Sequence, residues 1–263
     1  MSLFSKALSI YKKEGIRSTL IKCLHRLFKN KVTNYKKYQE LFNNKKGLEI
    51  GGPSSFFEKH NSFPIYPVIN SLDGVNFSTF TIWEGDIKNG LNYKFGNGGK
   101  GYQYICDAVD LSGMPSEKYD FILSCNSLEH VANVFKAINE WVRVIKPNGI
   151  LLLVLPRKES NFDHKRSITT FEHLKSDYKN NISEDDTTHL DEILKLHDLS
   201  KDIVLHSFEE FNTRSLNNYE NRCLHHHVFD LSLIKEIFNY FNLDTILTNN
   251  LDSVYVFIGR KKQ

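Results

Sequence analysis

Residues 119–156 read YDFILSCNSLEHVANVFKAINEWVRVIKPNGILLLVLP, and this stretch decides the fold. Tyr119–Cys125 (YDFILSC) is a short strand-forming run. Val131, Val134, Phe135, Ile138, Trp141, Val142 and Ile145 then fall at i, i+3, i+4, i+7, i+10, i+11 and i+14, one face of a helix. Lys146-Pro147-Asn148-Gly149 stops that helix. Ile150–Leu155 is apolar throughout, as a strand buried on both faces must be. Strand, helix, strand in this order predicts a parallel α/β sheet.

Working outward, the same rhythm holds on both sides. Lys46–Ser54 (KGLEIGGPS) runs a short apolar strand into a Gly-Gly-Pro turn, with Ser54 or Ser55 available to cap a short helix after the turn. Pro64–Asn70 (PIYPVIN) is expected as a second strand, awkward for its two prolines. Gly90–Gly101 reads as a polar, Gly-rich loop and Tyr102–Asp107 (YQYICD) as a third strand. Near the end, Asp230 is placed to cap a helix with Leu231, Ile234, Phe238 and Phe241 on one face. Strands at Asp244–Thr248 and Ser253–Gly259 come after it. Residues 157–227 interrupt the rhythm with a polar, His- and Asp-rich insertion. There Thr169 and Glu172 have capping-box spacing, and Leu190, Ile193, Leu194 and His197 share a helix face.

The bulk numbers suit one large domain. The chain has 263 residues, 40% of them hydrophobic, enough for a substantial core, which argues against global disorder. A net charge of +3 calls for no particular partner, and no concentrated basic face marks the main body for nucleic acid. Residues 1–46 differ: Lys12, Lys13, Arg17, Lys22, Arg26, Lys29, Lys31, Lys36, Lys37, Lys45 and Lys46 meet few acids. Leu20, Ile21, Leu24, Leu27 and Phe28 recur at helical spacing. We expect a basic helical extension over 1–46, either a cap on the main domain (47–263) or a weak membrane-surface contact. No signal-like segment or membrane-length apolar run is present, and the four cysteines form no C-x-x-C pair. A reduced, cytoplasmic protein is the expectation.

In an open α/β sheet the ligand sits beyond the carboxyl ends of the strands, where the strand order reverses. Glu49, Gly51 and Gly52 lie after the first strand, and small residues there let a ligand approach the backbone. Asp73 or Asn76 lies after the second, for ribose hydroxyls. Asp107 and Ala108 lie after the third, for an adenine amino group. Cys125, Asn126 and Ser127 lie after the fourth. With LEIGG (48–52), ICDAVDL (105–111), YDFILSCNSLEHV (119–131) and VIKPNGILLLVLP (144–156), the chain resembles the class I S-adenosylmethionine-dependent methyltransferases of type 11, over roughly 46–156. The resemblance implies a Rossmann-like seven-stranded sheet with a reversed terminal strand pair. It also implies S-adenosylmethionine as cofactor, with S-adenosylhomocysteine as product. Two departures stand out: Pro53-Ser54-Ser55 replaces the loop's usual third glycine, and Asn76 stands where the family commonly has an acid. A dinucleotide oxidoreductase would need G-x-G-x-x-G, and residues 51–56 read GGPSSF.

A sulfonium methyl is already activated, so the protein must place a nucleophile in line with it and exclude water. Amines need only arrive neutral, whereas an alcohol needs a base or a metal. The insertion holds eight of the eleven histidines. His130, His164 and His226 are the candidate catalytic residues, and Asp163, Arg166, Arg222 and His225 the candidate acceptor contacts. Most histidines in such a stretch do ordinary surface or hydrogen-bonding work, and His197 reads as core. A divalent metal could draw on Asp163, His164, Asp186, His189 and His226, but no tight spacing such as H-x-x-x-H supports it. HKRSITTFEHL (164–174) and DDTTHLDEILKLHDL (185–199) resemble methyltransferases encoded among bacterial surface-polysaccharide genes. That implies O-methylation of a sugar, sugar nucleotide or related capsule or lipopolysaccharide precursor. The alternatives are N-methylation of a small amine or phosphoramidate-type acceptor, and a non-catalytic protein that keeps the fold.

Overall fold

Successive residues of the apolar run at 150–155 face two different cores. Leu151, Leu153 and Leu155 join one; Ile150, Leu152 and Val154 join the other. Continuous apolarity with period-two sidedness is what a central strand covered on both faces requires. The computed structural model describes residues 30–202, 205 and 207–263. The expected apolar helical face at Leu20–Phe28, Cys23 and His206 lie outside the described residues.

In chain order the strands are β1 (Lys46–Ile50), β2 (Ser71–Asn76), β3 (Phe80–Thr81), β4 (Gly85–Asp86), β5 (Gly90–Phe95), β6 (Gly99–Ile105), β7 (Tyr119–Cys125), β8 (Ile145–Pro156), β9 (Leu243–Asn250) and β10 (Val254–Lys261). The helices are α1 (Tyr35–Gln39), α2 (Val134–Val144), α3 (Phe171–Lys179), α4 (Leu190–Leu196), α5 (Phe208–Leu216), α6 (Asn218–Asn221) and α7 (Leu231–Tyr240). The main sheet runs β5-β6-β2-β1-β7-β8-β10-β9, and β3 pairs only with β4. β6, β2, β1, β7 and β8 are parallel. β10 is antiparallel to both β8 and β9, so it alone of the terminal pair opposes the parallel strands. Strand order reverses between β1 and β7, which opens a crevice at their carboxyl ends. Apart from β5, this is the Rossmann-like class I methyltransferase sheet that the sequence predicts.

α2 takes the middle of the predicted periodic face; Val131 precedes it, and Ile145 and the Lys146–Gly149 turn already belong to β8, where they make a register shift against β7. The Asn133 side chain caps α2 by accepting the Lys136 N–H at 3.1 Å. Phe135, Ile138 and Trp141 are fully buried, and Trp141 Nε1 donates to the Ala108 carbonyl at 2.9 Å. The helix thereby holds the loop after β6 in place. Asp230 caps α7 as expected, accepting the Leu233 N–H at 2.8 Å.

Three expectations need correction. The second strand is Ser71–Asn76, not Pro64–Asn70. Pro64 and Pro67 have no N–H to give a ladder, so the earlier stretch folds into turns. Asp73, Gly74 and Asn76 disguise the true strand, and Gly74 is needed because a Cβ there would lie 2.2 Å from the Tyr93 ring. Gly90–Gly101 is not a loop but β5 turning into β6, an eighth strand whose Tyr93 and Phe95 alternate into the core. The cap of α3 is Thr170 rather than Thr169; Thr169 instead exchanges hydrogen bonds with Val228.

Candidate active site

A cleft of about 590 Å³ opens over the carboxyl ends of the parallel strands. Its cofactor side includes Gly51, Asn76, Asp107, Ala108, Cys125, Asn126 and Ser127, seven of the ten sequence-predicted cofactor residues. Gly51 has φ +72°, and a Cβ there would come 2.4 Å from Ser127 Oγ. Only glycine keeps this floor open. Ser127 Oγ in turn donates to the Ile50 carbonyl at 3.1 Å, tying the β7 end to the β1 end. The small residue at 51 and the open strand ends suit a nucleoside-bearing ligand such as S-adenosylmethionine.

The other three predicted cofactor residues do not line the cleft. Glu49 is fully buried beneath the loop, where it accepts hydrogen bonds from Tyr93 Oη (2.7 Å), Tyr66 Oη (2.8 Å) and the Ser54 N–H (2.9 Å). Burial pushes its carboxyl up to about 7, against the pull of those donors. Gly52 gives its carbonyl to Asn76 Nδ2 at 3.0 Å, so the amide that replaces the family's usual acid braces the loop. Asp73 sits in the first half of β2, away from the ligand-binding end. It accepts from the Tyr102 N–H and Tyr119 Oη, both at 2.9 Å, and pairs with Lys46 Nζ at 3.5 Å. Of the two alternatives for ribose, only Asn76 reaches the cleft.

The rest of the cleft lining comes from both halves of the chain. Glu129 and His130 come from the turn after β7, and Arg222 and His225 from the segment after α6. His225 Nδ1 meets Asp163 Oδ2 at 2.5 Å. Burial opposes charge on His225, but Asp163 and then Glu129 hold the imidazole above its usual range. Burial alone would raise Asp163; His225 and Arg166 hold it down at about 2. Glu129 is 1% exposed, its Oε2 has no hydrogen-bond partner, and burial pushes it up to about 7. His130 gives one ring nitrogen to the Leu224 carbonyl (3.0 Å), and desolvation keeps it well below its usual pKa, hence neutral. Trp83, half exposed, packs edge-on against His130 with ring centroids 5.3 Å apart. Arg222 bridges Asp107 (3.1 Å) and Glu184 (3.2 Å) and lies over the Phe77 ring.

Four other predictions change role. His164 lies outside the cleft, paired with Asp198 at 2.8 Å. His226 is buried behind Glu184, hydrogen-bonded to Asn218 at 3.0 Å, and desolvation holds it down at about 4. Neither touches the cleft. Asp163 and Arg166 form a buried pair (3.0 Å), and Arg166 also donates to the His225 and His226 carbonyls. Both are buried, do not line the cleft, and position the histidine segment. His197 is core, sandwiched between Phe162 and Phe211. The five residues considered for a metal do not converge; among the described residues the metal-capable groups are Glu129–His130–His225 and His173–His189–His227. Glu129, Glu184 and Trp83 were missed. The one local signal was Glu129 standing beside His130 in the motif.

The methyltransferase domain family matches residues 82–153, from the β3–β4 hairpin through most of β8. Over that stretch the chain is similar to a methyltransferase domain. No curated protein matches the chain. Among solved structures, a SAM-dependent methyltransferase from Aquifex aeolicus is similar at 12% identity, covering 90% of this chain and 91% of its own, with a TM-score of 0.46. A SAM-dependent methyltransferase from Methanosarcina mazei is similar at 18% identity, covering 86% and 97%, with a TM-score of 0.45. Likeness at this level assigns this chain no acceptor. Among the described residues, no helix is long and apolar enough to cross a membrane.

Proposed function

We propose that this methyltransferase O-methylates a sugar, sugar nucleotide or related capsule or lipopolysaccharide precursor, with His225 as general base. The observation that carries the reading is the His225–Asp163 contact at 2.5 Å on the acceptor wall. Nδ1–H donated to a buried carboxylate fixes the tautomer and leaves Nε2 as the ring's free nitrogen. An amine acceptor needs no base, so a carboxylate-oriented imidazole favours a hydroxyl.

S-adenosylmethionine, when bound, supplies a methyl group already activated on a sulfonium. Gly51, Asn76, Asp107, Ala108, Cys125, Asn126 and Ser127 would hold it, and their side of the cleft faces the base across one cavity. Asp163 keeps the His225 ring in register. His225 Nε2 takes the hydroxyl proton as the oxygen is methylated. Glu129, with an unpartnered carboxyl oxygen, accepts a hydrogen bond from the acceptor. The exposed Trp83 face offers a platform for a sugar ring, and Arg222 a cation for a nucleotide-linked phosphate. The resemblance at 164–174 and 185–199 supports a surface-polysaccharide acceptor. A nucleotide-linked acceptor suits the cytoplasm and no nucleic-acid partner.

The test is transfer of labelled methyl from S-adenosylmethionine to a panel of nucleotide sugars and small amines. Labelled sugar product that disappears in His225→Ala, with S-adenosylhomocysteine binding retained, supports the reading. Methylation of amines alone, or unchanged turnover in His225→Ala, refutes it.

A further inference from the structure

A second histidine cluster lies in the insertion and forms no part of the cleft. His173 and Asp177 stand one helical turn apart on α3, His189 immediately precedes α4, and His227 ends the triple-histidine run. The ligand atoms of the three histidines lie within 4.8 Å of one another. His173 Nε2 is 2.9 Å from His189 Nε2 and 3.2 Å from Asp177 Oδ2, and His227 Nε2 is 3.8 Å from the same carboxylate oxygen. We propose that His173, His189, His227 and Asp177 form a tetrahedral Zn²⁺ site that clamps the insertion onto the start of α2.

Zn–N distances of about 2.0–2.1 Å put neighbouring ligand atoms of a tetrahedron about 3.3 Å apart. The 2.9 Å and 3.2 Å separations among His173 Nε2, His189 Nε2 and Asp177 Oδ2 lie close to that value, and His227 enters through Nδ1 because its Nε2 is held by a carbonyl. Two buried atoms are left wanting a cation. Asp177 Oδ2 accepts no hydrogen bond, and His227 Nδ1 has no partner although the residue is 2% exposed. The other His227 nitrogen lies 3.0 Å from the Ala132 carbonyl, the contact that orients metal-bound imidazoles. Three nitrogens and one carboxylate favour zinc over Mg²⁺ or Ca²⁺, which prefer all-oxygen shells. A filled set of four ligands makes the site structural rather than catalytic.

The clamp has a definite place in the fold. Asn133, the cap of α2, also donates to the carbonyls of Asp177 and Ile182 on the far side of α3. His227 is two residues from His225, so metal binding would fix the strip that carries the acceptor wall.

The experiment is metal analysis of the full chain purified from zinc-supplemented cells, with unfolding measured before and after chelation. About one Zn per chain is expected, with at least about tenfold less in His173→Ala and His189→Ala. Both replaced side chains are partly exposed, so these variants should fold. Chelator should lower the unfolding temperature of the wild type and leave that of His189→Ala unchanged. Co²⁺ in place of zinc should give tetrahedral d–d absorption without thiolate charge transfer. Glu129→Gln, which alters the cleft cluster, should keep its zinc. Wild type that stays metal-free after reconstitution with Zn²⁺ overturns the proposal. So do zinc retained in both histidine variants and zinc lost from Glu129→Gln but kept in His189→Ala.

Discussion

His225 and Asp163 meet at 2.5 Å across 62 residues of sequence, and both are almost entirely removed from solvent. The carboxylate also holds Arg166, which returns to the His225 and His226 carbonyls. His225 is thus fixed through its ring and through its backbone. Asp163→Asn puts an amide against Nδ1 and turns the tautomer. We expect kcat to fall about 10²–10⁴-fold, the usual range for losing a positioned base. S-adenosylhomocysteine affinity should hold within a few-fold by calorimetry. Turnover near wild type in the folded variant would remove the pair from the reaction.

Asp73 lies in the first half of β2, whereas Asp107 lies beyond the carboxyl end of β6 at the cleft. Asp107→Ala, at the cleft, should weaken S-adenosylhomocysteine binding about tenfold or more, the loss of one charge-assisted hydrogen bond. Asp73→Asn should leave that affinity unchanged and lower stability, because Tyr119, Tyr102 and Lys46 lose a charged partner. Calorimetry and urea unfolding on both variants check this. Equal loss of affinity in the two would contradict the placement of Asp73.

Gly51→Ala forces a side chain into a left-handed conformation and onto Ser127 Oγ. The expected cost is about 1–3 kcal/mol of stability, together with weaker cofactor binding. Unchanged unfolding and affinity would show that the floor is not held open by glycine.

Trp83→Ala should raise KM for the acceptor by up to about tenfold, the worth of one aromatic stacking contact. Cofactor affinity should not move, because Trp83 stands at the cleft rim beside His130. Steady-state kinetics with each substrate varied in turn distinguish the two.

Glu49 makes stability depend on pH. Folding raises its carboxyl from 4.5 to about 7, so the folded protein holds this proton more tightly than the unfolded chain. Its contribution is full below about pH 4.5 and is lost as pH rises to about 7, a span on the order of 3 kcal/mol. Glu49→Gln should flatten that slope in urea unfolding between pH 5 and pH 8. An unchanged slope would mean that Glu49 is ionised throughout.

Sheet, reversing strand and the α2 face were legible because their signals are local. A run such as Ile150–Leu155 or the spacing Phe135, Ile138, Trp141 carries its own burial pattern, and the carboxyl ends of the strands can be located from it. β2 and β5 were obscured because Gly74 and Tyr93 make sense only against each other. Of the four candidate histidines, His130 and His225 line the cleft and His164 and His226 do not, and nothing in the sequence separated the two pairs. His164, His225 and His226 are chemically the same residue, and packing alone sent one to Asp198, one to Asp163 and one to Asn218. Likewise Glu129 is an ordinary glutamate in a motif, and only burial without a partner for Oε2 raises its proton affinity to about 7. The sequence by itself determined the parallel α/β scaffold and brought seven of its ten candidate cofactor residues to the cleft. Tertiary structure decided the acceptor wall, because the partner and dielectric that give a titratable group its chemistry come from residues distant along the chain.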